Sequence, residues 1–166
     1  MTEIIWQDLP VTERENYLLF HHDAYKEDLR HAEDTVLKFP RWSTISGYYA
    51  MHDLTKYFLA LKLNIKVSSP NIHAKTIEAL EHFIKDKELR ERLISLLKEA
   101  QNAYFDIERL REKVVPLMLK QAKKERGKSQ YYTEDYTKER KINAQRATYF
   151  LDNFVKPYLK LIEGLI

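Results

Sequence analysis

From Thr12 the apolar residues Leu18, Tyr25, Leu29, Ala32, Val36 and Phe39 recur at steps of three, four or seven, with Lys26, Glu27, Arg30, Glu33 and Asp34 between them. One apolar stripe on an otherwise wet surface predicts a helix. Thr12-Glu13-Arg14-Glu15 has the spacing of a capping box, so the helix is expected to start there. Pro40 is expected to end it, because the residue before a proline is pushed out of the α region. A second segment, from about Ser43 to Leu63, carries Ile45, Tyr48, Tyr49, Met51, Leu54, Tyr57, Phe58, Leu59 and Leu61 on a wider arc and reads as the central, most buried helix.

Ser69-Pro70 fits an N-cap followed by proline at the first helical position, and Ile72, Thr76, Leu80 and Phe83 carry a short third helix. Asp86 is placed to cap a fourth, whose stripe Leu89, Leu93, Leu96, Ala100, Ala103, Ile107, Leu110, Val114 and Leu117 keeps the helical period, with a kink expected at Pro116. Basic residues and Gly127 mark its stop. The following GKSQYYTEDYT has no hydrophobic period and is expected to be a loop, before a last helix from about Thr137 with Ile142, Ala147, Phe150, Phe154 and Leu161 and a second kink at Pro157. The pattern predicts an all-α fold, an up-and-down antiparallel bundle of four to five helices in one domain over residues 1–166.

Composition narrows the chemistry. With no cysteine, disulfides, thiolate metal sites and thiol catalysis are excluded. No Gly-rich phosphate loop, G-x-S-x-G or H-E-x-x-H occurs, and with three glycines in total a nucleotide cradle is hard to build. No stretch approaches the roughly 18 apolar residues of a membrane span, and MTEIIWQDLP lacks the basic-then-apolar run of a signal peptide, so a cytoplasmic protein without membrane contact is expected. Asp28-x-x-His31 and Glu78-x-x-x-His82 are only fragments of a bundle metal site, so no metal or other cofactor is expected.

The net charge of +3 is concentrated in Lys120, Lys123, Lys124, Arg126 and Lys128, against the lone Glu125. Cations before Gly127 also complement a helix C-terminus, which is reason enough for them to be there. Tyr131, Tyr132 and Tyr136 follow, however, and Lys138, Arg140 and Lys141 lie just beyond. Cations interleaved with aromatic rings suit phosphates and unpaired bases, which makes Lys120, Lys123, Lys124, Arg126, Lys128, Tyr131, Tyr132, Arg140 and Lys141 the candidate nucleic-acid surface. The rings of Tyr48, Tyr49 and Tyr57 suit seams between helices where their hydroxyls find partners, and His73, in the first turn of the third helix, is expected as a neutral imidazole bonded to a neighbouring helix.

Gly47-Tyr48-Tyr49-Ala50-Met51-His52, continuing through Tyr57-Phe58-Leu59-Ala60-Leu61 to Ser68-Ser69-Pro70-Asn71-Ile72-His73, resembles the HEPN domain over about residues 14–163. The resemblance implies a helical bundle that works as a homodimer and binds RNA or a nucleotide-type ligand, or pairs with a nucleotidyltransferase-like partner. Ribonucleases of that family have an Arg followed four to six residues later by a His before the last helix. Here Arg126 is followed by Tyr131 or Tyr132, and no His occurs after His82. Arg126 and Tyr131 are therefore the only catalytic candidates, and a phenol titrating near 10 is a poor substitute for an imidazole. The expected function is non-catalytic binding; the alternatives are a metal-independent ribonuclease toxin of a toxin–antitoxin system and a structural protein-interaction module.

Overall fold

The computed structural model describes the backbone of residues 6–124 and 129–166, and the side chains of residues 6–109 and 138–166. It is an all-α bundle with one minimal ribbon. Strand β1 (Gln7–Asp8) leads into α1 (Val11–Thr35), a tight turn leads into α2 (Pro40–Leu63), and β2 (Ile65–Lys66) follows. Then come α3 (Ile72–Phe83), α4 (Lys87–Lys124), α5 (Ser129–Phe150), a π-helical turn (Leu151–Val155) and α6 (Lys156–Glu163). Among the described residues no helix is long and apolar enough to cross a membrane.

Helices α1 and α2 form an antiparallel hairpin tied at both ends. Near the turn, the Ser43 hydroxyl donates to the Ala32 carbonyl at 2.6 Å. At the far end Arg14 donates to the carbonyls of Ala60 (2.7 Å), which also accepts from the Asn64 amide (3.1 Å), and of Leu61 (3.3 Å), adding side-chain donors to the carbonyls at the end of α2. Asn64 then takes the left-handed conformation (φ 56°) and turns the chain into β2, which pairs antiparallel with β1, Gln7 opposite Lys66. Two-residue strands are too short to leave a period in the sequence, and the ribbon is not foreseen there.

Helix α2 is the central element, as its wide apolar arc predicts. It packs against α1, α3, α4, α5 and α6, and Tyr48, Ala50, Met51, Leu54, Leu59 and Ala60 are essentially inaccessible. Gly47 lets it approach the π-helical turn closely. That turn lies just before Pro157, which has no amide for the helical ladder; the Lys156 N–H reaches back to the Leu151 carbonyl, and the wider turn takes up the misfit at the expected kink.

Several expected boundaries are corrected. Helix α1 starts at Val11 with Pro10 at its N-cap and no side-chain cap, so Thr12 lies inside the helix and the capping box with Glu15 does not form. Pro40 opens α2 at its first position rather than closing α1, which ends at Thr35. The N-cap position of α3 is Asn71, in the left-handed conformation and without a side-chain cap bond, rather than Ser69. The Asp86 cap does form, its carboxylate accepting from the Leu89 amide at 3.1 Å. Helix α4 runs through Pro116 to Lys124, and the stretch expected as a loop is helical from Ser129 onward. A polar run without apolar period argues against burial, not against helix, and past Gly127 it contains no breaker.

Candidate functional site

Of the surface anticipated from sequence, Arg126 and Lys128 lie outside the described residues, as do the side chains of Lys120, Lys123, Lys124, Tyr131 and Tyr132. Arg140 and Lys141 are described, both exposed on α5. Arg140 crosses to the α1–α2 turn and donates to the Lys38 carbonyl at 3.0 Å. There a cavity of about 300 Å³ opens between the turn and α5, lined by Lys38, Phe39, Pro40, Arg41, Trp42, Glu139, Arg140 and Asn143. Phe39 and Trp42 are about half exposed, so two large rings and three cations share one recess. Proline at the first position of α2 holds this geometry, because it fixes the chain as it leaves the turn.

Behind this surface α2 carries polar groups the hydropathy pattern does not reveal. On one side, the Tyr48 hydroxyl lies 2.6 Å from His73 Nδ1 and 2.8 Å from His52 Nε2, and the two imidazole nitrogens are 3.2 Å apart. His73 is thus bonded to a neighbouring helix, as expected. A consistent proton arrangement has His52 Nε2–H donating to the Tyr48 oxygen and the Tyr48 hydroxyl donating to His73 Nδ1. It leaves His52 Nδ1 as a bare lone pair, and that atom is buried without a partner. The opposite arrangement would bury an unbonded N–H, which costs more. Burial, reinforced by His73 and Lys56, pushes the His52 imidazole down to about 3, and burial also lowers His73. Burial and the neighbouring phenols raise Tyr48. All three groups are neutral at pH 7.

Toward α1, His21 Nδ1 lies 2.7 Å from Asp53 Oδ1 in a nearly buried pair. Asp28, seven residues after His21 and so on the same face of α1, meets the same Asp53 carboxylate. Burial, together with the charge of Asp53 and a hydrogen bond to it, pushes the Asp28 carboxyl up to about 7. The fold therefore favours protonated Asp28, and this contribution to stability falls as pH rises from about 4 to about 7. Asp28→Asn, which imitates the protonated acid, is expected to stabilise the protein at pH 8 by about 1 kcal/mol, a figure reduced because the group is half exposed, and to have no such effect below pH 4. Urea titrations of both proteins at pH 4 and 8 check this; a gain of equal size at both would locate the effect elsewhere.

The two acid–imidazole fragments do not converge on a metal. Asp28 is committed to Asp53, His31 Nδ1 lies 2.6 Å from the Ser46 hydroxyl, and His82 packs against Trp6 with ring centroids 5.0 Å apart. Among the described residues no group of three His, Asp or Glu side chains is arranged to hold an ion.

Comparison with known proteins finds no matching family model, no matching curated protein and no matching solved structure.

Proposed function

We propose that this chain is a HEPN-like helical module that binds unpaired RNA or a nucleotide-type ligand in the recess between the α1–α2 turn and α5, without cleaving it. One observation carries the reading: Lys38, Arg41 and Arg140 surround the half-exposed rings of Phe39 and Trp42 in a single cavity. Cations neutralise phosphates and release counterions, while an accessible ring stacks on any base, so the pair of features suits a single strand. Glu139 also lines the recess and disfavours a phosphate beside it. Among the described residues that line the recess none is a histidine, the side chain that most readily exchanges protons near neutral pH.

The family resemblance adds two partners, a second copy and a nucleotidyltransferase-like protein. Leu19 and Phe20, adjacent and 60% and 66% exposed on α1, support an apolar contact of this kind. The recess does not depend on either. Fluorescence anisotropy with a labelled ten-residue oligo(U) tests it directly. The chain is expected to bind with an affinity that falls steeply with salt, and Lys38→Glu with Arg41→Glu is expected to weaken binding at least tenfold and flatten the salt slope. Unchanged affinity in that double variant, with its helical circular dichroism intact, would exclude the recess.

A further inference from the structure

Glu139 and Asn143 are four residues apart on α5 and both line the recess, so they stand side by side on the helix face toward it, with about 5–6 Å between their Cβ atoms. Among the described residues no hydrogen bond or ion pair engages either side chain, whereas their neighbour Arg140 is committed to the Lys38 carbonyl. From the α1–α2 turn come the half-exposed ring of Phe39 and the cations Lys38 and Arg41. At about 300 Å³ the cavity is at the small end of ligand pockets, which gives room for one base rather than for a stretch of strand.

An acid and an amide in a base site impose a pattern. A carboxylate only accepts, and it offers two oxygens side by side. Among the RNA bases guanine alone presents two N–H donors side by side on its Watson–Crick edge, N1–H and N2–H, with the O6 acceptor next to them. Adenine and cytosine place a ring-nitrogen lone pair beside their amino group, and uracil flanks its single N–H with carbonyl oxygens. Each of those three turns an acceptor toward a carboxylate oxygen, and a polar group set against its like loses its water without gaining a partner.

We propose that the recess selects guanine: the base stacks on Phe39, Glu139 accepts from its N1–H and N2–H, the Asn143 amide donates to its O6, and Lys38 and Arg41 hold the phosphate. This rests on the reading of the recess as a nucleotide site. It gives Glu139, which as a bare charge only repels a phosphate, the task of reading the base. Other nucleotides still stack and still offer phosphates, so oligo(U) binds, but less tightly than a strand with an unpaired guanine.

The chain has two tryptophans, Trp6 and Trp42, so Trp6→Phe leaves Trp42, in the recess lining, as the only tryptophan reporter. In that background the monophosphates of guanosine, adenosine, cytidine, uridine and inosine are titrated against Trp42 fluorescence. The guanosine nucleotide is expected to bind about tenfold more tightly than the adenosine, cytidine and uridine nucleotides, and the inosine nucleotide, which lacks the N2 amino group, to lose most of that preference. Glu139→Gln, with one acceptor in place of two, should bring the guanosine nucleotide down to the level of the others while the adenosine nucleotide binds no worse. A ten-residue oligo(U) carrying one central guanine should gain the same factor over oligo(U); a preference seen in the mononucleotides but not in the strand would make the ligand a free guanine nucleotide rather than RNA. If the nucleotides bind equally, or if Glu139→Gln strengthens the guanosine and adenosine nucleotides alike, the selection of guanine is wrong and the recess stands. If neither a mononucleotide nor an oligonucleotide quenches Trp42, both fall.

Discussion

Between pH 6.5 and about 3 the native protein is expected to lose stability that a His52→Gln variant does not lose. An unfolded histidine takes up a proton near 6.5, whereas the buried His52, facing His73 and Lys56, resists protonation until about 3. A folded-state pKa below the unfolded one gives a contribution that is whole above pH 6.5 and drains away as pH falls through that interval. For a side chain 3% exposed the loss is on the order of a few kcal/mol, a large part of the stability of a domain this size. The Gln amide can still bond the Tyr48 hydroxyl, so the variant should fold, about 1–2 kcal/mol weaker at pH 7. Asp28 contributes a slope of opposite sign between about pH 4 and 7, but it is present in both proteins and cancels in their difference. Urea unfolding at pH 7, 5.5 and 4 should show the two stabilities converging as pH falls. Parallel curves would mean that His52 titrates alike in the folded and unfolded chain.

That prediction depends on a contact only half visible in the sequence. Tyr48 and His52 are four residues apart on an evident helix, so their meeting is readable from spacing. His73 joins them from another helix, and only packing places its Nδ1 against the same hydroxyl. His21 and Asp28 carry a clearer signal, since both lie on the buried side of α1 at helical spacing, yet hydropathy assigns a histidine pair and an aspartate to solvent. What gives them a buried place is Asp53 on the facing helix. The recess is half legible in the same way. Lys38-Phe39-Pro40-Arg41-Trp42 is a contiguous run of cations and rings, but Arg140 reaches it from a hundred residues away, and no local pattern announces that meeting. The helices themselves are readable because burial repeats with the helical period in each, most plainly in α2. The start of α5 is not, because its first turns offer no apolar stripe to register.

Gly47→Leu is expected to lower the melting temperature by about 10 °C or to prevent soluble expression. Glycine inside a helix costs about 1 kcal/mol relative to alanine, so its presence in the middle of α2 calls for a packing reason. A Cβ at this position would stand 3.0 Å from both Leu151 Cδ2 and Val155 Cγ2 on the π-helical turn, and 3.4 Å from Phe150. Those side chains are themselves buried, so there is no solvent to yield into. Overpacking of a core typically costs 1–3 kcal/mol, and a full isobutyl group between two helices belongs at or above the upper end. At about 2–4 °C per kcal/mol for a chain of this length, that gives the expected shift. Gly47→Ala separates the competing effects: the gain in helix propensity opposes a contact that Leu151 and Val155 must relax by a few tenths of an ångström, so its melting temperature should stay within a few degrees of the native value or fall. Calorimetric melts of the two variants provide the comparison, and a leucine variant melting within 2 °C of the native protein would show that the seam between α2 and the π-helical turn has slack.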